Sequence, residues 1–273
     1  MATNRKNHGI VLITGASAGI GRALALEFGA RAETLVLVAR RLDRLEKLQE
    51  ELLGRYPGLK IVASTADLSD EHEIERLLAK VSEQAGAVDV LVNNAGLGDS
   101  VLFDRSEWAR TRQVLRTNVF AVAQLTSALV PGMVERHRGG VLNIESGAGL
   151  TVLANAATYV GSKHFVAGFS EALRADLSGT GVTVTQVCPG PVESEFDQVA
   201  VSPGGMIGTP RLFRITAAQC AIEALAGFER GEARVFPGRA YRLLMRMLPL
   251  FPLWMRRRQA ASLAARLRAG QNA

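Results

Sequence analysis

Thr14-Gly15-Ala16-Ser17-Ala18-Gly19-Ile20-Gly21 follows the apolar run Ile10-Val11-Leu12-Ile13 and opens an amphipathic stretch from Arg22. Glycine lets a backbone turn tightly and come close to a ligand, and a helix N-terminus adds amide donors and positive potential. Alone, three glycines are an ordinary turn. With a strand before them and a helix after them, Gly15, Ser17, Gly19, Ile20 and Gly21 read as a phosphate-cradling loop at the first strand end of an α/β sheet.

Outward from this loop, short β-branched runs alternate with longer amphipathic stretches. The predicted strands are Ile10–Thr14, Thr34–Ala39, Lys60–Ser64, Val88–Asn93, Val141–Ser146, Val182–Cys188 and Arg234–Phe236. They are continuously apolar rather than alternating, as strands buried on both faces are. Leu42, Leu45, Leu48 and Leu52, and again Ile74, Leu77, Leu78 and Val81, have helical spacing. The pattern predicts an α/β fold, a doubly wound parallel sheet of about seven strands with helices on both faces. Ligands in such sheets bind beyond the C-terminal strand ends, where the remaining motifs also fall.

The second strand ends in Ala39-Arg40-Arg41. A bare ribose would favour a carboxylate here, whereas a 2′-phosphate favours a guanidinium fork. Arginines at a helix start oppose the macrodipole, so Arg40 and Arg41 point to NADP(H) over NAD(H). Asp67-Leu68 follows the third strand, where Asp67 could equally cap the next helix. Asn93-Asn94-Ala95-Gly96 closes the fourth, with small residues for close backbone approach and amides able to lock neighbouring strands. Tyr159 and Lys163 share a helix face at i, i+4. A phenol titrates near pH 10, and a neighbouring ammonium lowers that value toward usefulness in proton transfer. Ser146 lies at a strand end thirteen residues before Tyr159, placed to hold an oxygen on which charge develops. Asn118 sits inside a long helical stretch, where its side chain or a helix distortion could hold a water that passes protons toward Lys163.

Together, TGxxxGxG, NNAG, Asn118, Ser146 and Tyr159-Val160-Gly161-Ser162-Lys163 resemble the short-chain dehydrogenase/reductase family over residues 9 to about 237. The resemblance implies a Rossmann-type fold, carbonyl–alcohol interconversion by hydride transfer with NADP(H), and Asn118, Ser146, Tyr159 and Lys163 as the catalytic set. It further implies that Asp67 and Leu68 face the adenine, that Asn94, Ala95 and Gly96 pass beside the cofactor, and that Lys163 holds the nicotinamide ribose. Pro189, Gly190 and Val192 match the family's loop around the nicotinamide amide, and Ser194 takes a place often held by Thr. Glu145 departs from the pattern, since a small or hydroxylic residue usually precedes the serine. Alternation points it away from Ser146 and predicts a buried, paired carboxylate. A homodimer or homotetramer is also implied. The alternative is a non-catalytic NADP(H)-sensing protein on the same fold, which would have no need of Ser146, Tyr159 and Lys163 together. An epimerase or dehydratase on nucleotide sugars would usually carry a larger C-terminal substrate domain.

Residues 1–238 read as one NADP-binding catalytic domain, with an irregular substrate loop at 195–217. Phe196, Met206, Ile207, Leu212 and Phe213 suggest an apolar lid and an apolar ketone, fatty or steroid-like substrate. Residues 239–273 form a basic, apolar C-terminal tail. The net charge of +6 belongs to it: it holds eight arginines and no acid, leaving 24 basic against 26 acidic residues elsewhere. That argues against nucleic-acid binding across the fold. The apolar segment 241–255, flanked by arginines, fits a peripheral membrane contact, a lipid-facing entrance, a dimer contact or a flap over the substrate. Two cysteines without a Cys/His cluster predict reduced thiols and no metal. The polar start, running at once into the first strand, leaves no secretory leader and favours a cytoplasmic location, at the membrane surface if the tail binds there.

Overall fold

The computed structural model describes residues 7–193 and 211–270. Six strands arise first along the chain: β1 (Ile10–Thr14), β2 (Thr34–Ala39), β3 (Lys60–Thr65), β4 (Val90–Asn93), β5 (Gly139–Ile144) and β6 (Val182–Val187). The short pair β7 (Val192–Glu193) and β8 (Ile215–Thr216) and the strand β9 (Arg234–Val235) follow. The main sheet has seven strands in the order β3-β2-β1-β4-β5-β6-β9, every pairing parallel. The order reverses between β1 and β4, which opens a crevice at their C-terminal ends.

Period-two alternation sends the strand side chains into two cores. Val11, Ile13, Leu35 and Leu37 meet α1 (Gly19–Gly29), α2 (Leu42–Arg55) and α7 (Ala217–Glu229) on one face. Leu12, Val36, Val38 and Val141 meet α3 (Glu71–Gln84) and α5 (Ala121–Glu135) on the other, where Leu177 also packs at the end of α6 (Ala157–Asp176). Strands buried on both sides explain why the sequence shows runs and not alternation.

Several boundaries differ from the sequence reading. β5 runs two residues earlier than expected: Gly139 and Gly140 pair with Val182 and Thr183, so Glu145 and Ser146 lie just past the strand. β4 starts at Val90 because the Asp89 carboxylate accepts from the Ile10 amide, tying the entry of one strand to its neighbour. Asp70, not Asp67, caps α3, accepting from the amides of His72 and Glu73. The substrate-loop residues 194–210, Ser194, Phe196, Met206 and Ile207 among them, lie outside the described residues.

The helical run 108–135 joins α4 (Trp108–Leu115) to α5 through a π-turn at Arg116–Phe120. It is long and apolar enough to cross a membrane by length and composition. Val114 and Leu125 are fully buried in it, and α5 packs on β4 and β5, so it serves as a core helix. Beyond β9, the tail folds into α8 (Arg239–Met247) and α9 (Leu253–Gly270).

Candidate active site

At the crevice, Thr14 and Asn94 clasp the two central strand ends. The Thr14 hydroxyl donates to the Val92 carbonyl at 3.1 Å and accepts from the Asn94 and Ala95 amides at 2.9 and 3.0 Å. The Asn94 amide donates back to the Thr14 carbonyl at 2.8 Å. Gly15 has φ of +66°, open to glycine at little strain. A methyl group on Gly21 would stand 2.3 Å from Asn94 Nδ2 and 2.4 Å from the Gly15 carbonyl oxygen. The glycines therefore let the loop close against Ala95, while Ile20 packs on the first core.

Arg40 and Arg41 are exposed at the end of β2, and an Arg41 guanidinium nitrogen lies 3.4 Å from Ser17 Oγ. This brings the fork of α2 to the glycine loop of α1, two elements apart in sequence. Asp67 accepts from both the amide and the hydroxyl of Ser69, at 2.9 and 2.8 Å, in a tight turn after β3. Leu68 is buried in the second core.

On the far side of the crevice, Ser146 follows β5 by two residues, and its hydroxyl accepts from the Ala148 amide at 3.1 Å. The loop it begins is held by the Gly147 amide, which donates to the Pro189 carbonyl at 3.0 Å and so joins it to the segment Pro189–Val192. Tyr159 is half-buried one turn into α6. Lys163 is buried, its ammonium donating to the Ile144 carbonyl at 3.0 Å and lying 5.9 Å from the Tyr159 ring centre. A methyl at Gly96 would stand 3.6 Å from Lys163 Nζ and 3.5 Å from Asn118 Oδ1, so lysine and amide converge beside the fourth strand end.

Asn118 is spent on structure as well as on the site. Its Oδ1 accepts from the Leu97 amide, and its Nδ2 donates to the Leu97 carbonyl and to Ser162 Oγ, at 2.8, 2.9 and 3.0 Å. Ser162 in turn donates to the Tyr159 carbonyl at 2.7 Å. Of the two sequence alternatives for Asn118, the side chain is thus fully engaged, and the π-turn around it supplies the distortion.

Burial pulls the Lys163 ammonium down to about 8, with Glu145 and Cys188 opposing that fall. Glu145 is itself buried, as its alternation predicted, and burial pushes its carboxyl up to about 7 against the lowering effects of Cys188, Lys163 and Arg234. The Cys188 thiol donates to Glu145 Oε2 at 2.6 Å, and Glu145 Oε1 has no hydrogen-bond partner among the described residues. Burial also holds the thiols of Cys188 and Cys220 and the phenol of Tyr241 above their ordinary ranges.

Tyr241 and Met245 were not legible as site residues in the sequence. Both are buried on α8, and the Tyr241 ring covers Gly190 so closely that a methyl there would stand 2.7 Å from it. A methyl on Gly147 would collide with the Tyr241 hydroxyl at 1.5 Å. Their i, i+4 spacing on a basic helix was the available signal.

The short chain dehydrogenase family profile matches residues 9–203. The chain belongs to this family. It is an oxidoreductase of that class, and its curated relatives include a sulfoacetaldehyde reductase of Chromohalobacter salexigens, 40% identical over 77% of this chain and 83% of that one. The 1-deoxy-11-beta-hydroxypentalenate dehydrogenase of Streptomyces exfoliatus is 34% identical over 82% of this chain and 84% of its own. Among solved structures, a short-chain dehydrogenase from Sphingobium yanoikuyae in complex with NADPH has 31% identity and a TM-score of 0.77, covering 84% of this dehydrogenase and 87% of that chain.

Proposed function

We propose that this dehydrogenase interconverts a carbonyl and an alcohol with NADP(H), using Tyr159 as its proton-transfer group. The observation that carries this reading is the buried Lys163 ammonium, fixed on the Ile144 carbonyl beneath Tyr159 and beside the end of the Ser146 strand. A buried cation near a phenol stabilises the phenolate and brings proton exchange within reach of neutral pH.

The residues fit the cofactor. Gly15, Ser17, Gly19 and Gly21 lie on the loop between β1 and α1, where the bare backbone of Gly15 and Gly21 packs against Asn94 and Ala95, and Arg40 and Arg41 would supply guanidinium donors to a 2′-phosphate. Asp67, Leu68, Asn94, Ala95 and Gly96 would line the adenosine half, and Pro189, Gly190, Val192 and Ser194 the nicotinamide half. When bound, NADPH supplies the hydride. Ser146 holds the carbonyl oxygen, Tyr159 gives it a proton, and Lys163 binds the ribose and assists Tyr159. Asn118 fixes the π-turn and, through Ser162, the backbone of Tyr159.

The substrate side favours an apolar ketone or a fatty or steroid-like carbonyl. Leu212 and Leu153 expose apolar surface, and the Tyr241 ring covers the wall beside Gly147 and Gly190. Two buried, unpaired thiols suit a cytoplasmic enzyme. Exposed Phe120, and Phe165 stacked on Phe169 at 5.5 Å, suit a homodimer or homotetramer contact. Exposed Leu243, Met247, Leu250 and Trp254 near Arg257 and Arg258 also suit an anionic membrane surface.

The test is cofactor oxidation over a panel of aldehydes, ketones, keto-steroids and keto-acyl thioesters, with NADPH and NADH side by side. NADPH-dependent turnover should fall at least ~100-fold in Tyr159→Phe. Retention of most turnover in that variant would remove the mechanism. Tight NADPH binding without turnover on any substrate would favour the sensor.

A further inference from the structure

The tail does more than cover the active site. Between the loop 151–154 and the helices α8 and α9 lies a groove of about 390 Å³. Leu153, Leu244, Leu248, Phe251 and Leu263 give it apolar walls, and the guanidinium-bearing residues Arg256 and Arg266 lie on its lining. Its volume falls in the range of about 300–1,000 Å³ that small-molecule sites occupy.

We propose that this groove is a binding site for the apolar body of a carboxylate-bearing substrate, with Arg256 pairing the carboxylate. The proposal deepens the carbonyl-oxidoreductase reading and rests on it for the word substrate. Three observations converge. Arg256 lines the groove, and its Nε, shielded from solvent, has no hydrogen-bond partner among the described residues. No acid occurs from residue 239 to 273, and none lines the groove, so the groove itself offers Arg256 no carboxylate. A carboxylate matches a guanidinium in charge and in fork geometry.

The third observation is continuity with the chemical site. The loop 151–154 leads from Ser146 to the helix of Tyr159. On the other wall, α8 sets Tyr241 against Gly147 and Gly190, and Leu244 on the same helix and Leu248 in the turn that follows it reach into the groove. At its far end, α9 is tied to Asp104 by two bonds from Arg268, each 2.9 Å. The groove side chains are distinct from Leu243, Met247, Leu250 and Trp254, which are exposed on the same two helices and the turn between them.

Isothermal titration of the full chain with dodecanoate, dodecanol and acetate, each below its aggregation limit, tests the site without relying on turnover. Dodecanoate should bind, acetate should not, and dodecanol should bind about tenfold more weakly than dodecanoate. Arg256→Gln should weaken dodecanoate by about tenfold and leave dodecanol unaffected. Leu248→Trp, which fills the groove, should abolish both. In turnover with NADPH, ω-oxododecanoate should be preferred to dodecanal through a lower KM, and Arg256→Gln should erase that preference. No binding of dodecanoate, or binding indifferent to Arg256→Gln and Leu248→Trp, would overturn the proposal. If the panel carbonyls turn over while dodecanoate fails to bind, the groove falls and the oxidoreductase stands. Arg256-dependent binding with no carbonyl reduced leaves the site standing and removes the oxidoreductase reading.

Discussion

At the scale of single residues, Glu145 is the side chain that sets this dehydrogenase apart. A carboxyl with a folded value of about 7, raised from 4.5, keeps a proton in the folded protein that the unfolded chain has already released. It therefore subtracts stability as pH rises from 4.5 to 7. Glu145→Gln should lose less thermal stability than the parent between about pH 5 and pH 8, measured as Tm across that range. The same carboxylate helps Lys163 keep its proton at a value of about 8. Without it the ammonium titrates lower, so the alkaline limb of the kcat/KM profile for carbonyl reduction should move to lower pH. Turnover at pH 8.5 relative to pH 7 should drop by roughly three- to tenfold. An unchanged alkaline limb would mean that Glu145 serves packing alone. Sequence alternation was enough to bury Glu145. It was not enough to find its partner, because Cys188 is brought beside it only by the pairing of β5 with β6.

Elements come next, and the contact between the α1 loop and the start of α2 argues for the cofactor choice. Arg41 reaches Ser17 across two elements, so a 2′-phosphate would meet a charged donor already directed toward the glycine loop. A hydrogen bond to a charged group contributes about 1.5–3 kcal/mol. Arg41→Ala should therefore raise the NADPH KM by roughly ten- to a hundredfold and leave the NADH KM nearly unchanged, as steady-state kinetics with both cofactors would show. Much of this level was legible in the sequence. Runs such as Leu35–Val38 and helix stripes such as Leu45, Leu48 and Leu52 carry their periodicity openly. What escaped was set by partners. β5 begins at two glycines that look like a turn until they pair with β6, and the two-residue strands β7 and β8 have no period to read. The π-turn at Asn118 depends on an amide that is satisfied by Leu97 and Ser162, residues remote along the chain.

For the whole molecule, the tail is anchored at both ends. α8 is anchored by the buried Tyr241 and Met245, and α9 by the exposed Asp104–Arg268 pair. The Arg268 guanidinium holds the Asp104 carboxyl below its ordinary range, so this clasp is complete above the unfolded value of 3.8 and is lost only as pH falls below it. It is exposed, so salt weakens it. Asp104→Asn should speed tryptic cleavage at Arg256–Arg258 severalfold at low salt, with little difference between pH 6 and pH 9. Raising the salt should bring the parent toward the variant. Equal cleavage rates at low salt would mean that α9 is held by its apolar contacts alone.

The seat of α8 on Gly147 and Gly190 has a further consequence. Both glycines lie in the part of the chain the family profile covers, whereas everything from Arg239 onward lies beyond it. The glycine loop and the helix that carries Tyr159 and Lys163 both precede that roof in the chain. On the proposed reading of the tail groove, exchanging this one contiguous terminal segment would change selectivity. Such an exchange would have to keep an aromatic resting on the two bare backbone positions together with the Arg242–Glu223 and Arg268–Asp104 pairs that tie the tail to the body.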